Sequence, residues 1–210
     1  MLVLENVSKS YRKRSVLSDI SHRFDAGLNV LTGPSGAGKS TLLRLCATVE
    51  RPSSGALSWQ GQSYSKAKRR VRRDLGYAPQ IVDLPLDITG LEFLQHIAAL
   101  KGVGRDALSQ SRDLLEAVGL GADADQRLIG WSGGMRRRLI FAQALLGAPK
   151  LIVLDEPTAE LDSETASRVS DLIAEKAKTA TVLLTTHLTA HFQTQGARLI
   201  RVADGGLTLR

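Results

Sequence analysis

Two hydrophobic periods run through the chain. From Leu2 to Leu31 apolar and polar positions alternate around turns, as in Leu2-Val3-Leu4-Glu5-Asn6-Val7 and from Val16 to Phe24. That period predicts antiparallel strands at a sheet edge, with Tyr11 in the basic loop between them. Leu28-Asn29-Val30-Leu31 reads as a buried strand, and a helical stripe of Leu42, Leu45, Cys46 and Val49 follows. Pro52-Ser53-Ser54-Gly55 is turn chemistry, Ala56 to Trp59 resumes as a strand, and Leu75 to Ala78 is a short strand stopped by Pro79.

From about Thr89 to Leu146 the period becomes helical: Leu91, Leu94, Ile97 and Ala98, then Leu108, Leu114, Leu115 and Val118, then Leu139, Ala142 and Leu146. Gly102, Gly104, Gly119 and Gly121 punctuate this stretch. Leu151-Ile152-Val153-Leu154 is a continuous apolar run, the pattern of a parallel strand covered on both faces. Asp162 suits the cap of a helix with the stripe Ala166, Val169, Ile173 and Ala177. Thr181 to Thr186 is another buried strand, and Arg198–Val202 with Leu207–Leu209 flank Asp204-Gly205-Gly206 as a closing hairpin. The prediction is one α/β domain over 1–210, with a parallel central sheet and an antiparallel edge sheet. Its core takes about 1–85 and 148–210, and an all-helical subdomain is inserted at about 86–147.

Between the strand at Leu28–Leu31 and the helix after it stands Gly33-Pro34-Ser35-Gly36-Ala37-Gly38-Lys39-Ser40-Thr41. This is the G-x-x-x-x-G-K-[ST] pattern in its strand–loop–helix setting, the mark of a P-loop NTPase core. Glycines let successive N–H groups turn inward into a nest for phosphate oxygens, and the helix N-terminus adds roughly +0.5 of charge. Lys39 is expected to reach the β- and γ-phosphates and Ser40 to ligate Mg²⁺. The pattern predicts binding of a nucleoside triphosphate.

Three further strand ends carry matching chemistry. Asp155, at the carboxyl end of Leu151–Leu154, suits Mg²⁺, and Glu156 beside it is placed to orient and deprotonate water. His187 follows the Thr181–Thr186 strand and is a candidate for a γ-phosphate hydrogen bond, or a satisfied structural histidine. Gln80, after another strand, could reach Mg²⁺ or the attacking water. Ser132-Gly133-Gly134 opens the helix of Leu139 and Ala142, which makes a second anion site or a plain helix start.

The formal charge of +7 asks for an anionic neighbour, and six of the eight residues Lys66 to Arg73 are basic. A solvated surface turn, a lipid-headgroup contact and a nucleic-acid contact all fit that run, but no aromatic residue interleaves with the charges to stack bases. No apolar run reaches the roughly 18–20 residues a bilayer span requires, and the N-terminus lacks a signal-peptide pattern. Cys46 is the single cysteine, so no internal disulfide forms, and a cytoplasmic setting is expected.

Trp131-Ser132-Gly133-Gly134-Met135-Arg136 resembles the signature motif of ATP-binding cassette (ABC) ATPases, and the resemblance extends in order over the whole chain. It implies that Tyr11 stacks on adenine, that Gly33 to Ser40 act as Walker A, and that Thr41 belongs to the ATP-binding residues beside them. Gln80 stands as the Q-loop, Leu151 to Asp155 as Walker B with Glu156 as catalytic glutamate, Asp162 in the D-loop and His187 as the switch histidine. It further implies Mg²⁺ and ATP as cofactors. Two cassettes, identical or not, would pair head to tail, each lending Ser132-Gly133-Gly134 to the other's nucleotide. A separate transmembrane permease would dock near the Q-loop and Ile81 to Leu91, at the inner face of the cell membrane. No nucleic-acid partner is implied, nor a regulatory domain after the last hairpin.

Trp131 and Met135 replace the usual leucine and glutamine of the signature, and Ala159 stands where many relatives have serine. A signature ending in methionine before Arg136-Arg137-Arg138 resembles the bacterial exporter branch. The alternatives are a soluble ABC-type ATPase of an assembly or repair complex, and a nucleotide kinase. The kinase leaves Ser132-Gly133-Gly134 without a role.

Overall fold

The computed structural model describes residues 1–81 and 83–209, the Leu209 side chain excepted. Val82, inside the Ile81–Leu91 stretch expected to meet a membrane partner, lies outside the described residues. Chain order runs β1 (Leu2–Tyr11), β2 (Arg14–Phe24), β3 (Gly27–Thr32), α1 (Lys39–Cys46), β4 (Ser54–Trp59), β5 (Gln62–Ser63), α2 (Tyr64–Asp74) and β6 (Leu75–Ala78). It continues through α3 (Gly90–Lys101), α4 (Ala107–Ala117), α5 (Gly133–Leu145), β7 (Leu151–Asp155), α6 (Ser163–Ala177), β8 (Thr181–Thr185), α7 (Thr189–Thr194), β9 (Arg198–Ala203) and β10 (Gly206–Leu209).

The strands form two sheets. A six-stranded sheet has the order β10-β9-β3-β8-β7-β6, parallel except for the β9–β10 hairpin. A four-stranded antiparallel sheet has the order β2-β1-β4-β5. The first strands therefore make the antiparallel sheet expected of them, together with β4 and β5, and the Ser18 N–H to Gly205 carbonyl bond of 2.8 Å ties it to the parallel one.

Strand alternation sorts the apolar side chains into two cores. On β7, Ile152 and Leu154 join the core under α3, α4, α5 and α6, while Leu151 and Val153 face the core of α1 and the antiparallel sheet. On β8, Val182 and Leu184 take the first side and Leu183 the second. Burial on both faces is why these strands read as unbroken apolar runs. Asn29, the polar exception in β3, is spent on the Val182, Gly27 and Asp25 carbonyls at 3.1, 3.1 and 3.2 Å. Cys46 is buried, and burial pushes its thiol up to about 12.

Several expectations change in detail. The basic run Lys66–Arg73 is not a turn but most of α2, a helix kinked at Ala67 (φ −119°, ψ 27°) whose one buried residue is Val71. Tyr11 is the last residue of β1, paired with Arg14, so the loop expected around it shrinks to two residues with Arg12 at φ 53°. Val49 lies beyond the end of α1 and is 55% exposed, and Leu108 faces solvent from the first turn of α4. The other stripe residues of α3, α4, α5 and α6 are buried or packed against the helical core. No helix among the described residues is long and apolar enough to cross a membrane.

Candidate functional site

Four adjacent parallel strands, β3, β8, β7 and β6, end on one edge of the sheet, where such sheets open their ligand crevice. The loop from Gly33 to Gly38 leaves β3, Thr186-His187 leaves β8, Asp155-Glu156 closes β7, and Gln80 follows β6. Ser40, Thr41, Lys39, Gln80, Asp155 and Glu156 line a cleft of about 540 Å³ there, together with Gly33, Ser35, Gly36, Gly38 and His187. Tyr11, Arg14 and Val16 close its far side from the antiparallel sheet. Pro34 and Ala37 complete the loop without facing the cleft.

The loop's glycines are set by space and dihedral. Gly38 caps α1 at φ 99°, where an added Cβ would lie 2.9 Å from the Leu17 Cδ2. At Gly33 (φ 132°) it would lie 2.1 Å from the Val202 carbonyl oxygen. Lys39 Nζ donates to the carbonyls of Gly33 and Pro34 at 2.8 and 2.9 Å, which holds the ammonium over the loop.

Thr185 organises both carboxylates. Its hydroxyl donates to Asp155 Oδ1 at 2.6 Å and accepts the Glu156 N–H at 3.0 Å. Asp155 is 5% exposed, and its Oδ2 takes no hydrogen bond among the described residues. Glu156 sits in the left-handed region at φ 53°, and its Oε1 lies 3.5 Å from His187 Nε2. Burial raises the Glu156 carboxyl above the usual glutamate range; the charge of His187 opposes this and that of Asp155 adds to it. The His187 ring is 91% exposed, so solvent and ligand both reach it. Thr186 shapes the turn beneath by accepting the Leu188 N–H at 3.0 Å.

Tyr11 is anchored by a network absent from the sequence reading. Its hydroxyl donates to Glu50 at 2.5 Å, and Glu50 also takes Lys9 at 2.9 Å and Arg44 at 2.7 Å. Burial alone would raise the Glu50 carboxyl, but these three partners outweigh it and hold it below its ordinary range. The Lys9 ammonium also lies 4.9 Å from the Tyr11 ring centroid.

Ser40, Gln80 and the free oxygen of Asp155 give a hard-oxygen donor set. No cluster of three or more His, Cys, Asp or Glu exists among the described residues that could cage a metal alone. One carboxylate plus neutral oxygens fits Mg²⁺, which keeps water and phosphate oxygens as its remaining ligands.

Ser132, Gly133 and Gly134 lie outside this cleft. Ser132 caps α5 by accepting the Met135 N–H at 3.2 Å, and Asp162 caps α6 by accepting the Thr165 N–H at 2.9 Å. That backbone bond lowers the Asp162 carboxyl. Trp131 turns inward at 3% exposure, with its ring against Gly90 and its Nε1 buried without a partner among the described residues. Met135 packs on the helical core. The three arginines that follow fan out. Arg136 donates to the Leu128 and Ile129 carbonyls, Arg137 to the Glu156 carbonyl, and Arg138 to the Val118 and Gly119 carbonyls at the end of α4.

The Trp131–Gly90 pair gives a stability test. A Cβ at Gly90 would lie 2.3 Å from the Trp131 ring. Gly90→Ala is expected to lower the melting temperature through overpacking worth about 1–3 kcal/mol. Adding Trp131→Leu should restore it, and a Gly90→Ala protein melting like wild type would refute the contact.

With this geometry in view, the relatives agree. The family described as ABC transporter matches residues 17–159. An uncharacterised ABC transporter ATP-binding protein of Bacillus subtilis, YxlF, is 38% identical over 190 residues, covering 90% of this chain and 63% of its own length. The lipoprotein-releasing system ATP-binding protein LolD 1 of Caulobacter vibrioides is 38% identical over 190 residues, covering 86% of this chain and 81% of its own length. This chain thus spans somewhat under two thirds of the Bacillus protein and about four fifths of the Caulobacter one. Among solved structures, a dimeric post-hydrolysis state of the ATP-binding cassette MJ0796 bound to ADP and Pi superposes with a TM-score of 0.90 at 25% identity. That match covers 100% of this chain and 98% of the other. A second dimeric structure of the same bacterial ABC transporter cassette gives a TM-score of 0.89 at 26% identity, covering 99% of this chain and 96% of the other. The loop, the strand-end carboxylates and the separate Ser-Gly-Gly helix start therefore have one explanation: this chain belongs to the ABC transporter family, as one of its ATP-binding cassettes.

Proposed function

We propose that this chain binds MgATP and hydrolyses it to drive transport. It does so as one of a head-to-tail pair of cassettes docked on a separate membrane permease at the cytoplasmic face. The observation that carries this reading is the meeting of Lys39, Ser40, Gln80, Asp155, Glu156 and His187 on one sheet edge, while Ser132-Gly133-Gly134 sits elsewhere on the same chain.

The phosphate loop and Lys39 would hold the triphosphate, Tyr11 would take the adenine, and Ser40, Asp155 and Gln80, which line the same cleft, would hold Mg²⁺. When bound, Mg²⁺ neutralises charge building on the phosphate oxygens. Glu156 accepts the proton of the attacking water as its oxygen bonds to the γ-phosphorus and ADP leaves; His187 hydrogen-bonds the transferring group. The work is positioning and electrostatics on prearranged groups. One cassette spans the whole chain, with its core at 1–85 and 148–210 and the signature on the helical segment 86–147.

The pairing is supported by Gly133. Its backbone is ordinary helix, and a Cβ there would meet nothing within 4 Å. It is the exposed first residue of α5, so neither its dihedral nor the chain's own packing gives a reason for glycine there. A phosphate arriving from outside supplies that reason. The exporter direction is supported by the Met135-Arg136-Arg137-Arg138 signature ending.

Complementation tests the pair. Lys39→Ala disables the loop and Ser132→Arg disables the signature, so each variant alone is expected to be inactive. Mixed, they form dimers with one intact composite site, and ATPase activity should return. A mixture as inactive as its parts would overturn the head-to-tail pair. A multi-span protein copurifying from detergent-solubilised membranes is expected. A soluble assembly partner in its place would favour the alternative ABC-type ATPase.

A further inference from the structure

We infer that Arg137 is a positioning residue that ties the signature helix of this chain to its own catalytic-glutamate loop, selecting the backbone conformer that presents Glu156. The inference rests on Glu156 being the base and Ser132-Gly133-Gly134 a nucleotide contact. Arg137 lies one turn inside α5 from Ser132, and its side chain is 17% exposed. One arm of the guanidinium donates to the Glu156 carbonyl at 3.4 Å, and the other reaches Glu160 Oε1 at 3.3 Å.

The two anchor points are the two left-handed residues of the loop, Glu156 at φ 53° and Glu160 at φ 62°. Neither is a glycine, so each sits in a conformation L residues rarely hold unless neighbours fix it. From the sheet side, Glu156 is fixed through its N–H by the carbonyl and hydroxyl of Thr185 at 3.2 and 3.0 Å. From the helix side it is fixed through its carbonyl, which accepts the Ala159 N–H at 3.2 Å as well as Arg137. An added Cβ at Gly134 would lie 3.6 Å from Leu161, so the first turn of α5 rests directly on the end of this loop.

The guanidinium is a planar fork, and here its two arms bridge the residues on which the loop turns. Glu160 is 71% exposed, so the ion pair by itself adds little to stability. What the bridge fixes is where the Glu156 carboxylate stands when α5 moves against the sheet. Nucleotide engaged by one chain's signature would thereby reset the base of that same chain, in addition to the site the signature directly completes.

Steady-state ATPase and thermal melting of Arg137→Ala, Arg137→Lys and Glu160→Gln test this, each alone and with Glu156→Gln, in the purified full chain. Arg137→Ala is expected to lower kcat about tenfold to a hundredfold through misplacement of the base. KM for ATP should stay within about twofold, since ground-state binding is untouched. Arg137→Lys should recover part of the rate, and Glu160→Gln should lose less than Arg137→Ala. On the residual rate of Glu156→Gln, Arg137→Ala should have almost no further effect, because its influence passes through the carboxylate. The inference fails if Arg137→Ala keeps normal kcat. It fails equally if Arg137→Ala raises KM alone, or slows the Glu156→Gln protein as much as wild type. If Glu156→Gln turns over normally, the base assignment fails and takes the inference with it, a distinct result.

Discussion

Glu156→Gln is expected to bind ATP with near wild-type affinity while hydrolysing it about two to four orders of magnitude more slowly, the range a general base supplies. The amide keeps the size of the side chain and leaves the backbone anchors from Thr185 and Arg137 in place. It loses the lone pair basicity that takes a proton from water. If, as proposed, the pair closes before chemistry, the variant should accumulate as a dimer with MgATP in size-exclusion chromatography. Near-normal turnover would take away the assigned base, and a monomer under these conditions would take away the pairing.

The acidity of the same group makes the assignment visible in wild type. Burial raises the Glu156 carboxyl, so kcat should fall on acidification at a pH above that of an ordinary glutamate. The His187 charge partly offsets that rise, so its removal lets the carboxyl climb further. His187→Ala should therefore move the acid limb upward as well as lowering the rate. An acid limb at the usual glutamate position in both proteins would argue that some other group takes the proton.

How much of this was legible in sequence depends on whether the signal is local. β7 and β8 were readable because burial on both faces leaves an unbroken apolar run in each, Leu151–Leu154 and Val182–Leu184, and α6 because one apolar stripe and one cap define it. The phosphate loop is nine consecutive residues, so its chemistry is printed in order. Helix α2 was misread because its buried side shows few apolar residues: Val71 is its one buried residue and Tyr64 packs half-buried on the core, while basic residues fill most of the remaining positions. Thr185 was visible as a strand residue, yet its hold on Asp155 spans thirty positions and nothing local reports it. A hydroxyl at the carboxyl end of an apolar strand was the one available hint. Glu50 and Arg44 lie 39 and 33 positions from Tyr11, and Trp131 explains Gly90 only once the helices pack. Long-range partners of a site are set by topology, and topology is what the sequence pattern constrains least.

Lys39→Ala should show the opposite signature to Glu156→Gln: weaker binding and slower chemistry together. The ammonium is held over the loop by the Gly33 and Pro34 carbonyls, both neutral acceptors, so its charge is not cancelled before a phosphate arrives. Each charge-assisted hydrogen bond to the triphosphate is worth about 1.5–3 kcal/mol. Losing one should weaken ATP affinity roughly tenfold to a hundredfold. The rate should fall as well, because charge grows on the same oxygens during transfer. Stability should change little: Lys39 is the half-buried first residue of α1, its two bonds go to loop carbonyls that water can reach, and alanine has the higher helix propensity. Lys39→Arg should fail to restore activity, since a wide planar fork replaces a compact point charge in a loop closed by Gly38 against Leu17. Fluorescent ATP titration, steady-state hydrolysis and a melting curve on the same preparations separate these effects. Unchanged affinity and rate in a folded Lys39→Ala protein would remove the lysine from the site, and a collapsed melting temperature would recast it as a structural residue of the loop.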